Sequence, residues 1–225
     1  VPNLVQVGHS YHVDNTFKDL YGNDRKVIPY NFTDFSSLSI TPDTYIIFGG
    51  GEDIHPSLYG QVNKFSHVQS QPSARDKLER EIFKIGVENG AKFIGICRGA
   101  QMITALAGGQ LWQDVNNHNG SHDLIWDYDN PLLSGINMVP YTTSVHHQMC
   151  RVDTIPFKTD LLAWSDEASR YRDDKMTVDD YSEEPEIFYI KDLKALCIQG
   201  HPEFVAYDDP YAVTCRQLAA KLLGE

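Results

Sequence analysis

The residues with the plainest chemical promise are Gly95-Ile96-Cys97-Arg98-Gly99. An apolar run, Lys92-Phe93-Ile94-Gly95-Ile96, leads straight into the cysteine, and Arg98 to Ala107 has a helix-forming composition that ends at Gly108-Gly109. Gly-x-Cys-x-Gly between a strand and a helix is the cysteine form of a nucleophile elbow, a tight turn that its flanking glycines permit. A helix beginning at Arg98 sets unpaired N–H groups and a positive dipole end beside the sulfur, which favours thiolate over thiol. The same five residues would also suit an inert cysteine closing a buried strand.

A second segment, His201-Pro202-Glu203, decides between the two. In extended chain, residues two apart project to one side, so imidazole and carboxylate can adjoin, and Pro202 stiffens the link. Cysteine, base and orienting acid together make a triad for acyl transfer. His118, His122, His146 and His147 offer a rival reading as a zinc site. The chain lacks an open-site pattern such as HExxH, so no metal is assigned.

These groups need a scaffold. Short apolar runs that stop at glycine or turn residues and pass into helical patterns predict an α/β fold. The expected strands are Leu4 to Val7, Lys26 to Tyr30, Tyr45 to Phe48, Lys92 to Ile96, Glu186 to Ile190 and Ala195 to Gln199. A helix is expected after Pro72-Ser73, with Leu78, Ile82 and Ile85 on its buried face, and a terminal helix over Tyr211 to Leu223. Gly49-Gly50-Gly51 marks close backbone approach. Asp166 to Glu186 is acidic and poor in apolar residues, which reads as an exposed, solvated loop.

Composition narrows the partners. With 19 Lys and Arg against 31 Asp and Glu, the net charge of −12 repels nucleic acid and anionic membranes. Cys97, Cys150, Cys197 and Cys215 form no CxxC pair, no apolar run approaches the roughly 20 residues of a bilayer span, and Val1-Pro2-Asn3-Leu4 lacks a basic leader. A cytoplasmic setting follows as the expectation, with residues 1–225 forming a single domain and a homodimer left open.

Gly-Ile-Cys-Arg-Gly-Ala-Gln (95 to 101) with Gln199-Gly200-His201-Pro202-Glu203 resembles the class I glutamine amidotransferase superfamily, whose triad is Cys, His and Glu in that order. Gly49-Gly50-Gly51-Glu52-Asp53, Pro56-x-x-Tyr59-Gly60, Arg75-Asp76-x-x-Glu79, Gly108-Gly109-x-Leu111-x-Gln113-Asp114 and Ser144-x-His146-His147-Gln148 are similar to its γ-glutamyl-γ-aminobutyrate hydrolase and γ-glutamyl hydrolase branch. The resemblance implies a flavodoxin-like three-layer sandwich with a central, mostly parallel sheet. It further implies Cys97 as nucleophile, His201 as base and Glu203 as its orienter, cleaving a γ-glutamyl amide through a thioester without metal or nucleotide cofactor.

Backbone N–H groups of Arg98 and of Gly50 or Gly51 would form the oxyanion hole. Gln101 would contact substrate, and His146, His147 and Gln148 would line the cleft. Asp53, Arg75, Asp76 and Glu79 read as structural. The chain departs from the branch at Ser165-Asp166-Glu167-Ala168, where a glycine is missing and an acidic stretch follows, so the leaving amine stays open. Two other functions share the triad or the fold: a glutaminase subunit serving a partner synthetase, and a catalytically silent ligand-binding protein.

Overall fold

A computed structural model describes residues 3–8, 11–21, 25–181 and 183–224. Val1 and Pro2 of the N-terminal reading and Ser182 of the acidic stretch lie outside the described residues. The strands, in chain order, are β1 (Leu4–Val7), β2 (Arg25–Ile28), β3 (Tyr45–Phe48), β4 (Lys92–Ile96), β5 (Gln110–Trp112), β6 (Asp114–Val115), β7 (Asn119–Asp123) and β8 (Ile125–Trp126). They continue as β9 (Tyr141–Val145), β10 (Met149–Arg151), β11 (Thr159–Ser165), β12 (Tyr171–Arg172), β13 (Thr177–Val178), β14 (Glu184–Ile190) and β15 (Ala195–Ile198). The helices are α1 (Tyr11–Phe17), α2 (Ala74–Glu88), α3 (Arg98–Leu106) and α4 (Pro210–Leu223).

The main sheet runs β2-β1-β3-β4-β15-β14-β11-β8. Pairings from β2 through β15 are parallel, and those of β15 with β14, β14 with β11 and β11 with β8 are antiparallel. Successive side chains leave a strand on opposite faces, and the central strands, apolar on both, feed two cores. Ile46, Phe48, Phe93 and Phe188 join Leu78, Ile82 and Phe83 of α2 and Met102 and Ile103 of α3 on one face. Tyr45, Ile47, Ile94, Ile96 and Ile198 meet Val13 and Phe17 of α1 and Tyr211, Cys215 and Leu218 of α4 on the other. This is the expected α/β sandwich of three layers.

Local signals explain the elements that matter most for the site. Ser73 caps α2 by accepting from the Asp76 N–H, while the Asp76 carboxylate accepts from the Ser73 N–H, a reciprocal capping box. In β4 and β15, Ile96 stands opposite Ile198, so the two strands end side by side. Among the described residues, no helix is long and apolar enough to cross a membrane.

The acidic stretch is not the solvated loop that its composition suggests. β12 pairs with β6 and β13 in a small sheet, and Tyr171, fully buried, packs on Trp112 and Tyr181. Strand β14 begins two residues earlier than expected, and Glu184 and Glu186 are both buried. Charge count misled here because Pro185 and Ile187 to Ile190 carry these carboxylates into the sheet, where hydrogen bonds replace water.

Candidate active site

Cys97 links β4 to α3 in a single residue with φ 49° and ψ −109°, a left-handed conformation that a non-glycine residue adopts only when its surroundings impose it. Its neighbours supply the room. A Cβ on Gly99 would stand 1.9 Å from the Phe48 carbonyl oxygen, and one on Gly95 would stand 2.7 Å from the backbone of Gly99. The elbow exists because those two side chains are absent.

His201 follows β15, the strand beside β4. Its Nδ1 is hydrogen-bonded to Glu203 Oε1 at 2.8 Å, and the ring neighbours Cys97 across Gly50, with the Cys97 sulfur 4.0 Å from the Val145 carbonyl oxygen. The link between His201 and Glu203 differs from expectation: residues Pro202–Phe204 form a 3-10 turn rather than extended chain, closed by Phe204 N–H donating to the His201 carbonyl at 3.1 Å. Phe204 stacks on the imidazole, with ring centres 4.2 Å apart. Burial alone would lower the imidazole pKa, but the sulfur and the Glu203 carboxylate outweigh it and raise the value to about 10.

Thr143 of β9, which sequence reasoning missed, fixes this turn: its hydroxyl accepts from His201 N–H at 2.9 Å and contacts the His201 carbonyl oxygen at 2.9 Å. A lone threonine in a strand carries no signal of that duty.

The glycine loop lies across from the elbow. A Cβ on Gly50 would meet His201 Cε1 at 2.8 Å and the Cys97 Cβ at 3.7 Å, so Gly50 borders both. Arg75 holds the loop from behind, donating from Nη2 to the Gly49 carbonyl at 2.8 Å and from Nη1 to that of Gly50 at 3.0 Å. Glu79, fully buried, accepts from Arg75 Nε at 2.8 Å and pairs with Arg98 through its other oxygen. Arg98 also pairs with Asp76 at 2.6 Å. One buried ionic chain thus joins α2, the elbow and the glycine loop.

The remaining expected site residues divide. Gln101 is buried and donates to the Gln148 carbonyl at 2.8 Å, bracing the turn after β9. Gln148 does not line the cleft: its amide is buried, accepting from Ile54 N–H at 3.1 Å and donating to Ser66 Oγ at 2.8 Å. The His146 ring is buried too, its side chain 2% exposed, donating through Nδ1 to the Gln148 carbonyl at 2.9 Å. Both belong to the interior because the turn folds inward between β9 and β10.

His147 alone of the three is half-open, 2.8 Å from Asp53 Oδ1 and stacked on His67. Hydrogen bonding to Asp53, against burial, raises its pKa. Beside it lies a cavity of about 650 Å³ bordered by Glu52, Asp53, His67, Gln69 and Ser73. Cys150 and Cys197 are deeply buried, which pushes both thiols up, Cys150 to about 12.

Residues 41–157, which include Cys97, match the sequence profile of the peptidase C26 family. The glutamine amidotransferase-like protein YvdE of Lactococcus lactis is 30% identical over 102 residues, 45% of this chain and 42% of that one. A relative in Schizosaccharomyces pombe, named for a glutamine amidotransferase, is 33% identical over 72 residues, 32% of this chain and 28% of that one. The matched stretches therefore cover less than half of these relatives. A glutamine amidotransferase from Thermotoga maritima superposes over 99% of this chain and 98% of its own, with a TM-score of 0.64 at 13% identity, which shows a shared fold. With its profile match, its elbow and its sandwich, the chain belongs to the peptidase C26 family of the class I glutamine amidotransferase superfamily.

Proposed function

We propose that the chain hydrolyses a γ-glutamyl amide, releasing glutamate and an amine. The observation that carries this reading is the placement of His201 between the Cys97 sulfur and Glu203, on the strained elbow at the head of α3. The Cys97 thiolate attacks the γ-carbonyl carbon, forming a carbon–sulfur bond and a tetrahedral oxyanion. Backbone N–H groups of Arg98, first in its helix, and of Gly50 or Gly51 are the candidate donors to that oxygen. The carbon–nitrogen bond breaks as His201 passes its proton to the leaving amine. Water, deprotonated by His201, then cleaves the glutamyl thioester, and Glu203 holds the imidazole in register throughout.

A cationic leaving group fits the surroundings best. Glu52 and Asp53 follow the glycine loop directly and border the large cavity, and the chain carries a net charge of −12. The names of the relatives support a second reading, a glutaminase whose ammonia passes to a partner synthetase.

Glutamate release from a panel of γ-glutamyl conjugates and from glutamine, with wild type and Cys97→Ala, tests both. Hydrolysis of conjugates by wild type alone is expected, with kcat/KM for γ-glutamyl-putrescine above that for γ-glutamyl-γ-aminobutyrate. Equal inactivity of the two proteins across the panel overturns the hydrolase. Turnover confined to glutamine selects the glutaminase.

A further inference from the structure

Apart from the Cys97, His201 and Glu203 set, three imidazoles converge on one buried carboxylate. Glu186 of β14 has Oε1 at 3.5 Å from His118 Nδ1, 3.4 Å from His122 Nε2 and 3.9 Å from His146 Nε2. Each ring's other nitrogen is already spent on an oxygen that can only accept. His118 Nε2 lies 3.0 Å from Glu184 Oε2, His122 Nδ1 lies 3.1 Å from the Asp123 carbonyl and His146 Nδ1 lies 2.9 Å from the Gln148 carbonyl. Glu184 also accepts from the N–H groups of Glu167 and Ala168 and from the Ser165 hydroxyl, as an ionised carboxylate would. The outer nitrogens are therefore the protonated ones, and the three inward nitrogens present lone pairs to a carboxylate oxygen.

Buried acceptors that face one another repel unless a positive charge stands between them. His122 Nε2, His146 Nε2 and Glu186 Oε2 have no hydrogen-bond partner among the described residues. A single proton shared with Glu186 serves only one of the three imidazoles at a time. A cation serves all of them.

We propose that this cluster is a structural zinc site, with His118 Nδ1, His146 Nε2 and Glu186 as ligands and His122 Nε2 as the fourth. The ligand atoms of His118, His146 and Glu186 lie within 4.8 Å of one another. Tetrahedral zinc, with bonds of about 2.0–2.1 Å, holds its ligand atoms about 3.3 Å apart, so modest side-chain shifts close these three around an ion, and His122 Nε2, 3.4 Å from Glu186 Oε1, swings in further to complete the set. A majority of imidazole nitrogens suits zinc and disfavours magnesium or calcium, which take oxygen. The outer contacts of each histidine, to carboxylate or backbone carbonyl, are those that orient metal-bound imidazoles. A second group, Asp53, His67 and His147, is a weaker candidate because His67 is exposed and His147 is already paired with Asp53.

The ion would pin the antiparallel pair β7 and β9 to β14, the strand next to β15, which leads into His201. It requires no part in the acyl transfer.

The test is zinc content after loading with zinc chloride and passage over a chelating resin, together with X-ray absorption of the loaded wild type. About one zinc per chain is expected in wild type, Cys97→Ala and His147→Ala, with a first shell of nitrogen and oxygen and imidazole scattering beyond it. Glu186→Gln should lose the ion, and Glu184→Gln, which removes no ligand but weakens the outer contact of His118 together with the other bonds Glu184 accepts, should bind it about 10–100-fold more weakly. Wild type that retains no zinc, sulfur in the first shell, or undiminished zinc in Glu186→Gln overturns the proposal. If Glu186→Gln does not fold, the wild-type content and spectrum decide alone.

Discussion

Gly50 lies so near His201 that a methyl group on its α-carbon would stand 2.8 Å from Cε1 of the imidazole, inside contact distance. Gly50→Ala should therefore displace the ring from Cys97 while leaving the sheet intact. A displacement of about 1 Å costs on the order of 100-fold in rate. The expected result is a kcat on γ-glutamyl conjugates lower by about that factor, with a thermal midpoint close to wild type, measured by glutamate release and by melting.

Glu79 is the hinge of the buried ionic chain, shared by Arg75 and Arg98. Glu79→Ala leaves two guanidinium groups in the interior with one carboxylate fewer, and breaking such a buried pair costs about 3–5 kcal/mol. Urea unfolding should show a loss of that order. Arg75, released from Glu79, should also loosen its hold on the Gly49 and Gly50 carbonyls, so KM and kcat should both worsen in whatever fraction still folds.

The raised pKa of His201 predicts a pH dependence of stability. The folded chain keeps the imidazolium to about pH 10, whereas the unfolded chain releases its proton near the ordinary 6.5. This contribution is fully present below pH 6.5 and disappears as pH climbs through about 10. The sulfur of Cys97 is the largest of the contributions that raise it. Cys97→Ala should move the fall in urea midpoint to lower pH, and superimposable wild-type and mutant profiles would refute the coupling.

Thr143→Val keeps the shape of β9 but removes the hydroxyl that bonds the His201 backbone. Loss of a typical hydrogen bond costs about 1 kcal/mol. The larger expected effect is on kcat, because the turn carrying the imidazole loses its fixed point. Thr143→Ser should restore most of the rate, which a purely steric role for the threonine methyl would not allow.

Much of this was legible from residue order. The strand over Tyr45–Phe48 and the run from Lys92 through Cys97 into α3 follow from unbroken apolar stretches that stop at glycine. The histidine cluster was legible in part: the sequence groups His118, His122 and His146, but with His147 in place of Glu186, because only strand pairing brings β14 beside the other three. Glu184 and Glu186 were hidden among exposed acidic neighbours; the clue was the run of alternating faces from Ile187 to Ile190 that begins beside them. Gln148 was misassigned because adjacency in sequence to a half-open histidine says nothing about which way a turn folds.

Cys97 and His201 each sit just past the end of a strand, and Ile96 and Ile198 are register partners in the parallel pair β4 and β15. Their separation is thus set by hydrogen-bond register, the one coordinate that intervening chain length does not touch. Chain between α3 and β14 that lies outside these contacts, such as the small sheet around Tyr171, can change in length without shifting that register, so long as Thr143 still holds the His201 turn. The positions of nucleophile and base are thus fixed by two adjacent strands, whereas Gly50, Glu52 and Asp53 reach the same region from a separate loop after β3.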